Sequence, residues 1–299
     1  MNENVKFHGV MSALVSCIDE NETVKEDCMR KLMNWHLDSG LSGFYLCGGT
    51  GEGPVLQKKT RMEIAEIAKD ECGGRANLIA HVGAIDLTTA KELARHAGQI
   101  GLDAISSVPP FFFHYGEAEI RTYYEELSDA SGLPVIMYAS PLSGVTITWD
   151  MVERLLGVPN MIGLKWTSYD YFTMHRIKEL NGGNINVING PDETLLAGLT
   201  MGADGGIGAT YNMMPKLFAK IYDSFRKGDL AAAQEAQFKV NKVIALLLKY
   251  GVVAGVKAAL QKIGYDCGEQ VYPQKVLKGD ERAAFYADLD ALHYEEEYL

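Results

Sequence analysis

Apolar and polar positions follow a repeating order along the chain: a short apolar run, a loop, then a stretch with apolar positions at helical spacing. The runs Gly9 to Ser16, Gly43 to Leu46, Leu78 to Val82, Ala104 to Val108, Pro134 to Tyr138, Met161 to Lys165, Ile185 to Ile188 and Gly205 to Gly208 read as strands. Helices are expected over Glu22 to Asp38, with Thr23 as N-cap, over Lys58 to Glu71, and along the stripe Ala90, Leu93, Ala94, Ala97 and Ile100. Further helices are expected from about Glu117, from Thr148, from about Tyr169, over Glu193 to Thr200 and near Pro215 to Arg226. Such strand–helix units, eight in about 220 residues, are what a (β/α)8 TIM barrel needs. A doubly wound sheet uses the same units, but no G-x-G-x-x-G or P-loop sequence follows any of these strands.

From about Asp229 the pattern changes. Asp229 to Lys249 is rich in Ala and Leu, Val252 to Ile263 is apolar, and Asp280 to His293 has helical spacing. The expected organisation is a barrel over residues 1–228 and a helical extension over 229–299 packed on it, with Glu295-Glu296-Glu297 as a solvated tail.

Composition narrows the functional classes. With 299 residues, 47% apolar and 22% charged, the chain can bury a full core. A net charge of −11 argues against nucleic acid or an anionic membrane surface as partner. No apolar run is long enough to span a bilayer, and Met1 to Asn4 lacks the basic start of a signal peptide, so a cytoplasmic location is expected. The five cysteines are odd in number and lack metal-ligand spacing, which suggests reduced thiols. The seven histidines form no HxxxH or HxH pair, so no metal and no cofactor are expected.

In a barrel, chemistry gathers at the C-terminal ends of the strands. Lys165 closes the apolar run Met161-Ile162-Gly163-Leu164, a position from which lysine is normally kept by the cost of desolvation. Taken alone it is a strand-end lysine reaching water. Facing a closed pocket, which favours the neutral amine, it is a nucleophile for carbonyls. Tyr138 ends the fifth strand, as a core tyrosine or as a proton carrier. After the second strand, Gly48-Gly49-Thr50-Gly51-Glu52 is either a tight turn or a set of bare amides that holds a carboxylate, helped by Thr50. After the seventh, Gly190-Pro191-Asp192-Glu193 offers acids that cap a helix or accept hydrogen bonds from a polyol. Convergence of all four on one barrel end favours the chemical reading. Phe111-Phe112-Phe113 reads as loop packing or a subunit contact.

Gly48 to Glu52, Ala80-His81-Val82-Gly83, Tyr138 and Gly163-Leu164-Lys165, taken together and in order, make the sequence resemble the N-acetylneuraminate lyase and 4-hydroxy-tetrahydrodipicolinate synthase family of class I aldolases, from about Phe7 to Cys267. The resemblance implies a barrel, a Schiff-base lysine, no metal and a homotetramer acting on a keto acid or sugar acid. Lys165-Trp166-Thr167, Asn189 to Glu193 and Gly202 to Asn212 look closest to the sialic acid lyase branch. The synthase branch usually carries an arginine shortly after the strand-five tyrosine, and Tyr138-Ala139-Ser140-Pro141-Leu142-Ser143-Gly144 has none.

On this resemblance Lys165 and Tyr138 are catalytic. Gly49, Thr50 and Gly51 hold the carboxylate, and Thr167, Gly190, Asp192, Glu193 and Ala209 line the sugar tail. The reaction implied is reversible cleavage of N-acetylneuraminate to pyruvate and N-acetylmannosamine. Three positions depart from the lyase pattern: Gly49 and Ala209 stand where it has serines, and Phe112-Phe113 where it has an aromatic pair containing tyrosine. Gly49 and that aromatic pair take hydroxyls from the family's proton relay, one of them supplied by a neighbouring subunit, and His114 or Tyr115 are the nearby substitutes. These departures keep three alternatives open: an aldolase for another 2-keto-3-deoxy sugar acid, the synthase, and a barrel that binds a keto acid without turning it over.

Overall fold

The computed structural model describes residues 7–299, apart from the Leu142 side chain. Met1 to Asn4, read above for a signal peptide, lies outside the described residues. The first half of the barrel contains β1 (Gly9–Ala13), α1 (Glu26–Asp38), β2 (Gly43–Leu46), α2 (Lys58–Cys72), β3 (Asn77–His81), α3 (Leu87–Gln99), β4 (Ala104–Ser107) and α4 (Glu117–Ser131). The second half contains β5 (Val135–Ala139), α5 (Trp149–Leu155), β6 (Met161–Trp166), α6 (Tyr171–Lys178), β7 (Asn186–Asn189), α7 (Leu195–Thr200), β8 (Gly205–Gly208) and α8 (Pro215–Arg226). The strands are parallel and close in the order β1 to β8, with β8 pairing back onto β1, so the doubly wound alternative is excluded. Four further helices follow: α9 (Leu230–Tyr250), α10 (Val252–Lys262), α11 (Gly279–Ala291) and α12 (Tyr294–Glu297). Among the described residues no single helix is long and apolar enough to cross a membrane.

Local chemistry sets many of these boundaries. Asp86, Thr148, Asp170 and Asp229 cap α3, α5, α6 and α9 by accepting from amides in the first turn. Gly73 and Gly132 end α2 and α4 in the left-handed conformation. Thr23 is not an N-cap. Its amide donates to Asp19, Val24 bridges Ile18, and α1 starts only at Glu26. The acidic end is not a free tail: Tyr294 and Tyr298 are buried around α12, and the Tyr294 hydroxyl donates to the Met213 carbonyl at 2.5 Å. The glutamates themselves are exposed, Glu295 paired with Lys262 at 3.2 Å and Glu297 with Lys239 at 3.0 Å.

Strand periodicity separates two cores. Met11, Ala13, Tyr45, Ile79, Ala104, Ile136, Ile188 and Ile207 fill the barrel interior, while Met137, Ala139, Leu164 and Trp166 pack outward under the helices. Since side chains alternate, Tyr138 and Lys165 share the inward face with Ile136 and Gly163. The β5–β6 register pairs Tyr138 with Lys165 directly. Gly163 is obligatory at its place, because a Cβ would lie 1.9 Å from the Asn186 carbonyl oxygen of β7.

Candidate active site

Lys165 enters the barrel mouth from β6 and is 5% exposed. Its Nζ lies 4.3 Å from the centroid of the Tyr138 ring and donates to Thr167 Oγ1 at 3.2 Å. Burial pushes the Tyr138 phenol up, but the Lys165 charge and hydrogen bonds with Thr167, Lys165 and Ser140 more than offset it, and the net shift is downward. A tyrosine held this way gives up and takes back its proton more readily than a free one. Ser140 and Thr167 are therefore the hydroxyls that act on Tyr138 electrostatically. Ser140 stands two residues after the tyrosine and carries no motif of its own in the sequence.

Gly190 is needed for this arrangement. A Cβ there would lie 2.1 Å from Thr167 Oγ1 and 2.8 Å from the Trp166 carbonyl oxygen. Beside it, Asp192 is buried and does not cap the short helix that it begins. Its Oδ2 accepts from the Thr210 amide and hydroxyl, both at 2.7 Å. Burial raises its carboxyl to about 6, although the bonds from Thr210 pull the other way. Gly208 makes room for Asp192 Oδ1, which a Cβ would approach to 2.2 Å. Half-buried Ala209 lies between Gly208 and Thr210, and half-buried Glu193 accepts from the Tyr169 hydroxyl at 2.5 Å.

The turn after β2 lies on the same barrel end. Its closing bonds run from the Glu52 amide to the Gly49 carbonyl and from the Gly53 amide to the Gly48 carbonyl, both 3.1 Å. Among the described residues no protein acceptor takes the amides of Gly49, Thr50 or Gly51. Three such donors with minimal side chains make an anion-binding concavity. Tyr45 connects the turn to the lysine: Gly48 sits against its ring, and Lys165 Nζ is 6.0 Å from that ring's centroid. Gly49 itself is exposed, and a Cβ there would meet nothing within 4 Å.

Several supporting residues went unassigned in the sequence. Glu52 and Lys257 form an ion pair at 2.7 Å with side chains 0% and 1% exposed. Glu52 Oε2 also accepts from the Val271 amide at 2.7 Å and Gln274 Nε2 at 2.9 Å, and Lys257 donates to the Glu269 carbonyl at 2.9 Å. On the other side, Gln237 of α9 donates to the Asp192 carbonyl at 3.1 Å and Asn241 to the Glu193 carbonyl at 3.0 Å. The C-terminal helices and the segment after α10 thus hold both loops of the mouth. His81 and Tyr45 wall Tyr138, with ring centroids 6.2 and 6.0 Å from it, and Tyr45 donates to Ser106 at 2.9 Å. Burial and the nearby Arg61 charge depress His81 to about 3, so it is a neutral acceptor for the Val108 amide. Phe112 and Phe113 stand apart from this constellation. They are 81% and 67% exposed and meet each other edge-on with centroids 5.0 Å apart, so most of their surface stays open.

The chain is matched, in sequence and in fold, by known proteins. The model of the dihydrodipicolinate synthetase family matches residues 6–292. The N-acetylneuraminate lyase of Salmonella paratyphi B is 39% identical over 256 residues, 85% of this chain and 86% of that one. A Ruminococcus gnavus sialic acid aldolase, solved as a catalytic lysine mutant, superposes with a TM-score of 0.94 at 28% identity, covering 100% of both chains. Proteus mirabilis N-acetylneuraminate lyase gives 0.91 at 28% identity, covering 97% of this chain and 99% of that one. A match of this extent, on a closed barrel whose sixth strand delivers a buried lysine beside a tyrosine, means that the chain belongs to the dihydrodipicolinate synthetase family.

Proposed function

We propose that the chain is a class I aldolase that cleaves N-acetylneuraminate reversibly to pyruvate and N-acetylmannosamine. The observation that carries this reading is the buried Lys165 amine against the Tyr138 ring and Thr167 hydroxyl, on the barrel end that also bears the open amides of Gly49 to Gly51. Lysine nucleophiles for carbonyls need such a setting, and the relatives named as lyases supply the substrate class.

In this mechanism Lys165 Nζ attacks the C2 keto group of the open-chain sugar acid. A C–N bond forms, water leaves, and the resulting iminium is the electron sink. The substrate carboxylate lies on the amides of Gly49, Thr50 and Gly51, with the Thr50 hydroxyl. Tyr138 takes the proton of the C4 hydroxyl as the C3–C4 bond breaks and its electron pair moves into the iminium. N-acetylmannosamine departs. The enamine carbon takes a proton back, and water hydrolyses the ketimine to pyruvate and free lysine. Ser140 and Thr167 complete the relay that Gly49 and the Phe112–Phe113 pair leave short of hydroxyls. Asp192, Glu193, Thr167 and Gly190 line the sugar tail, beside Ala209.

We also infer a homotetramer located in the cytoplasm; the exposed Phe112 and Phe113 rings, which suit a subunit contact, support the assembly. Sedimentation of the purified chain at the tetramer mass is expected, and a monomer would refute the assembly.

The direct test follows pyruvate release from N-acetylneuraminate through lactate dehydrogenase, with Lys165→Ala as the blank. Lysine-dependent pyruvate is expected. Ala209 lacks the hydroxyl that the lyase pattern offers to the glycerol side, which favours trying other 2-keto-3-deoxy sugar acids in parallel. Faster release from one of those would move the substrate while keeping the chemistry.

A further inference from the structure

Three of the cysteines that look scattered in sequence meet in space. Cys17 follows β1, Cys28 lies in α1, and Cys267 lies beyond α10. Their sulfurs all fall within 4.8 Å of one another, and Cys28 Sγ is 3.8 Å from Cys267 Sγ. Two backbone bonds fix the frame: Lys25 amide to Cys17 carbonyl at 2.8 Å and Ile18 amide to Cys267 carbonyl at 3.3 Å. Cys17 and Cys267 are fully buried and Cys28 is half-buried.

Free cysteines also pack as small hydrophobes. Two features point further here. A tetrahedral ion about 2.3 Å from each sulfur holds its sulfurs about 3.8 Å apart, the spacing of the Cys28–Cys267 pair. The Cys28 side opens on a surface cleft lined by Lys25, Glu26, Asp27, Cys28 and Asp266, which gives an ion an entry path and leaves the fourth position to water.

We propose that Cys17, Cys28 and Cys267 form a binding site for a thiophilic divalent metal of the zinc class, separate from the barrel mouth. Three protons leave the thiols and three sulfur–metal bonds form, with no change of oxidation state. The ion ties the segment after α10 to the loop between β1 and α1. That loop bears on the active site, since Ser16, the neighbour of Cys17, donates to the Gly51 carbonyl at 2.6 Å.

The reduced full-length chain is titrated with Co(II) under anaerobic conditions, reading the thiolate-to-cobalt charge-transfer band and the visible bands of tetrahedral cobalt. One equivalent is expected to saturate the site, and Zn(II) to bleach it. Cys28→Ser, checked for native circular dichroism, is expected to lose the band, as is Cys17→Ser. Zn(II) is expected to raise the melting temperature of the parent and not of Cys28→Ser, because only the parent gains a ligand on folding. Absence of a thiolate band in the parent, or a band that survives Cys28→Ser, overturns the site.

Discussion

Replacing Lys257 by Met tests whether the C-terminal helices hold the carboxylate turn. The pair Lys257–Glu52 is 2.7 Å long with side chains 1% and 0% exposed, so the loss leaves a carboxylate stranded in the interior. Removing one partner of such a pair costs about 3–5 kcal/mol. Glu52 keeps its bonds from the Val271 amide and Gln274, which places the expected loss nearer the lower figure. With unfolding entropy of about 2.1 cal/mol/K per residue over 299 residues, a loss near 3 kcal/mol corresponds to a fall in Tm of roughly 5 °C. Glu52 directly follows the amides of Gly49 to Gly51 and has φ of 57°. Its release therefore also loosens the turn, and KM for the keto acid is expected to rise more than kcat falls. Calorimetry and the coupled pyruvate assay read the two effects. Adding Glu52→Gln to Lys257→Met removes the stranded charge and is expected to recover most of the lost stability. A single variant within about 1 kcal/mol of the parent, or a double variant no better than Lys257→Met, would refute the reasoning.

Three other perturbations separate the parts of the site. Gly49→Ser adds its Cβ in open space, so stability is expected within about 0.5 kcal/mol of the parent, and kcat to change by less than about tenfold because Ser140 and Thr167 already serve Tyr138; a gain near a hundredfold would remove those two from the relay. Gly190→Ala drives a methyl against Thr167 Oγ1 and is expected to lower kcat by about a hundredfold, read in the same assay; an unchanged kcat would detach Thr167 from the chemistry. Asp192 titrates at about 6, so kcat/KM is expected to fall as pH drops through that value, and Asp192→Asn to abolish the inflection. The sign for stability is opposite. Its folded value lies above the unfolded 3.8, so its stabilising contribution is complete below pH 3.8 and is lost as pH rises through about 6, by about 3 kcal/mol at most. Denaturant melts of parent and Asp192→Asn across pH 4 to 7 check this, and parallel pH dependences would contradict it.

The barrel was legible because each strand is a short apolar run and the helices that follow carry apolar stripes, several with a capping Asp, Thr or Gly at an end. Lys165 was legible as a charge where a core strand admits none. The same signal stood at Lys257, inside the apolar run Val252 to Ile263, but its partner Glu52 lies 205 positions away and no spacing rule connects them. Gln237 and Asn241 read as ordinary polar positions of an Ala-rich helix. Their task, holding the carbonyls of Asp192 and Glu193, exists only once α9 has packed under the β7 loop. The Cys17, Cys28 and Cys267 cluster is hidden for the same reason. Thr23 and the acidic end misled because local composition was outweighed by contacts nearby: the Asp19 turn in one case, the burial of Tyr294 and Tyr298 in the other.

The central claim is that Lys165 forms the Schiff base. Incubating the chain with pyruvate and borohydride, then reading intact and peptide mass, tests it with no assumption about the sugar. The account predicts one reduced pyruvate adduct per chain, on the peptide that carries Lys165, and none in Lys165→Ala. No adduct in the parent, or the same adduct in Lys165→Ala, would contradict it.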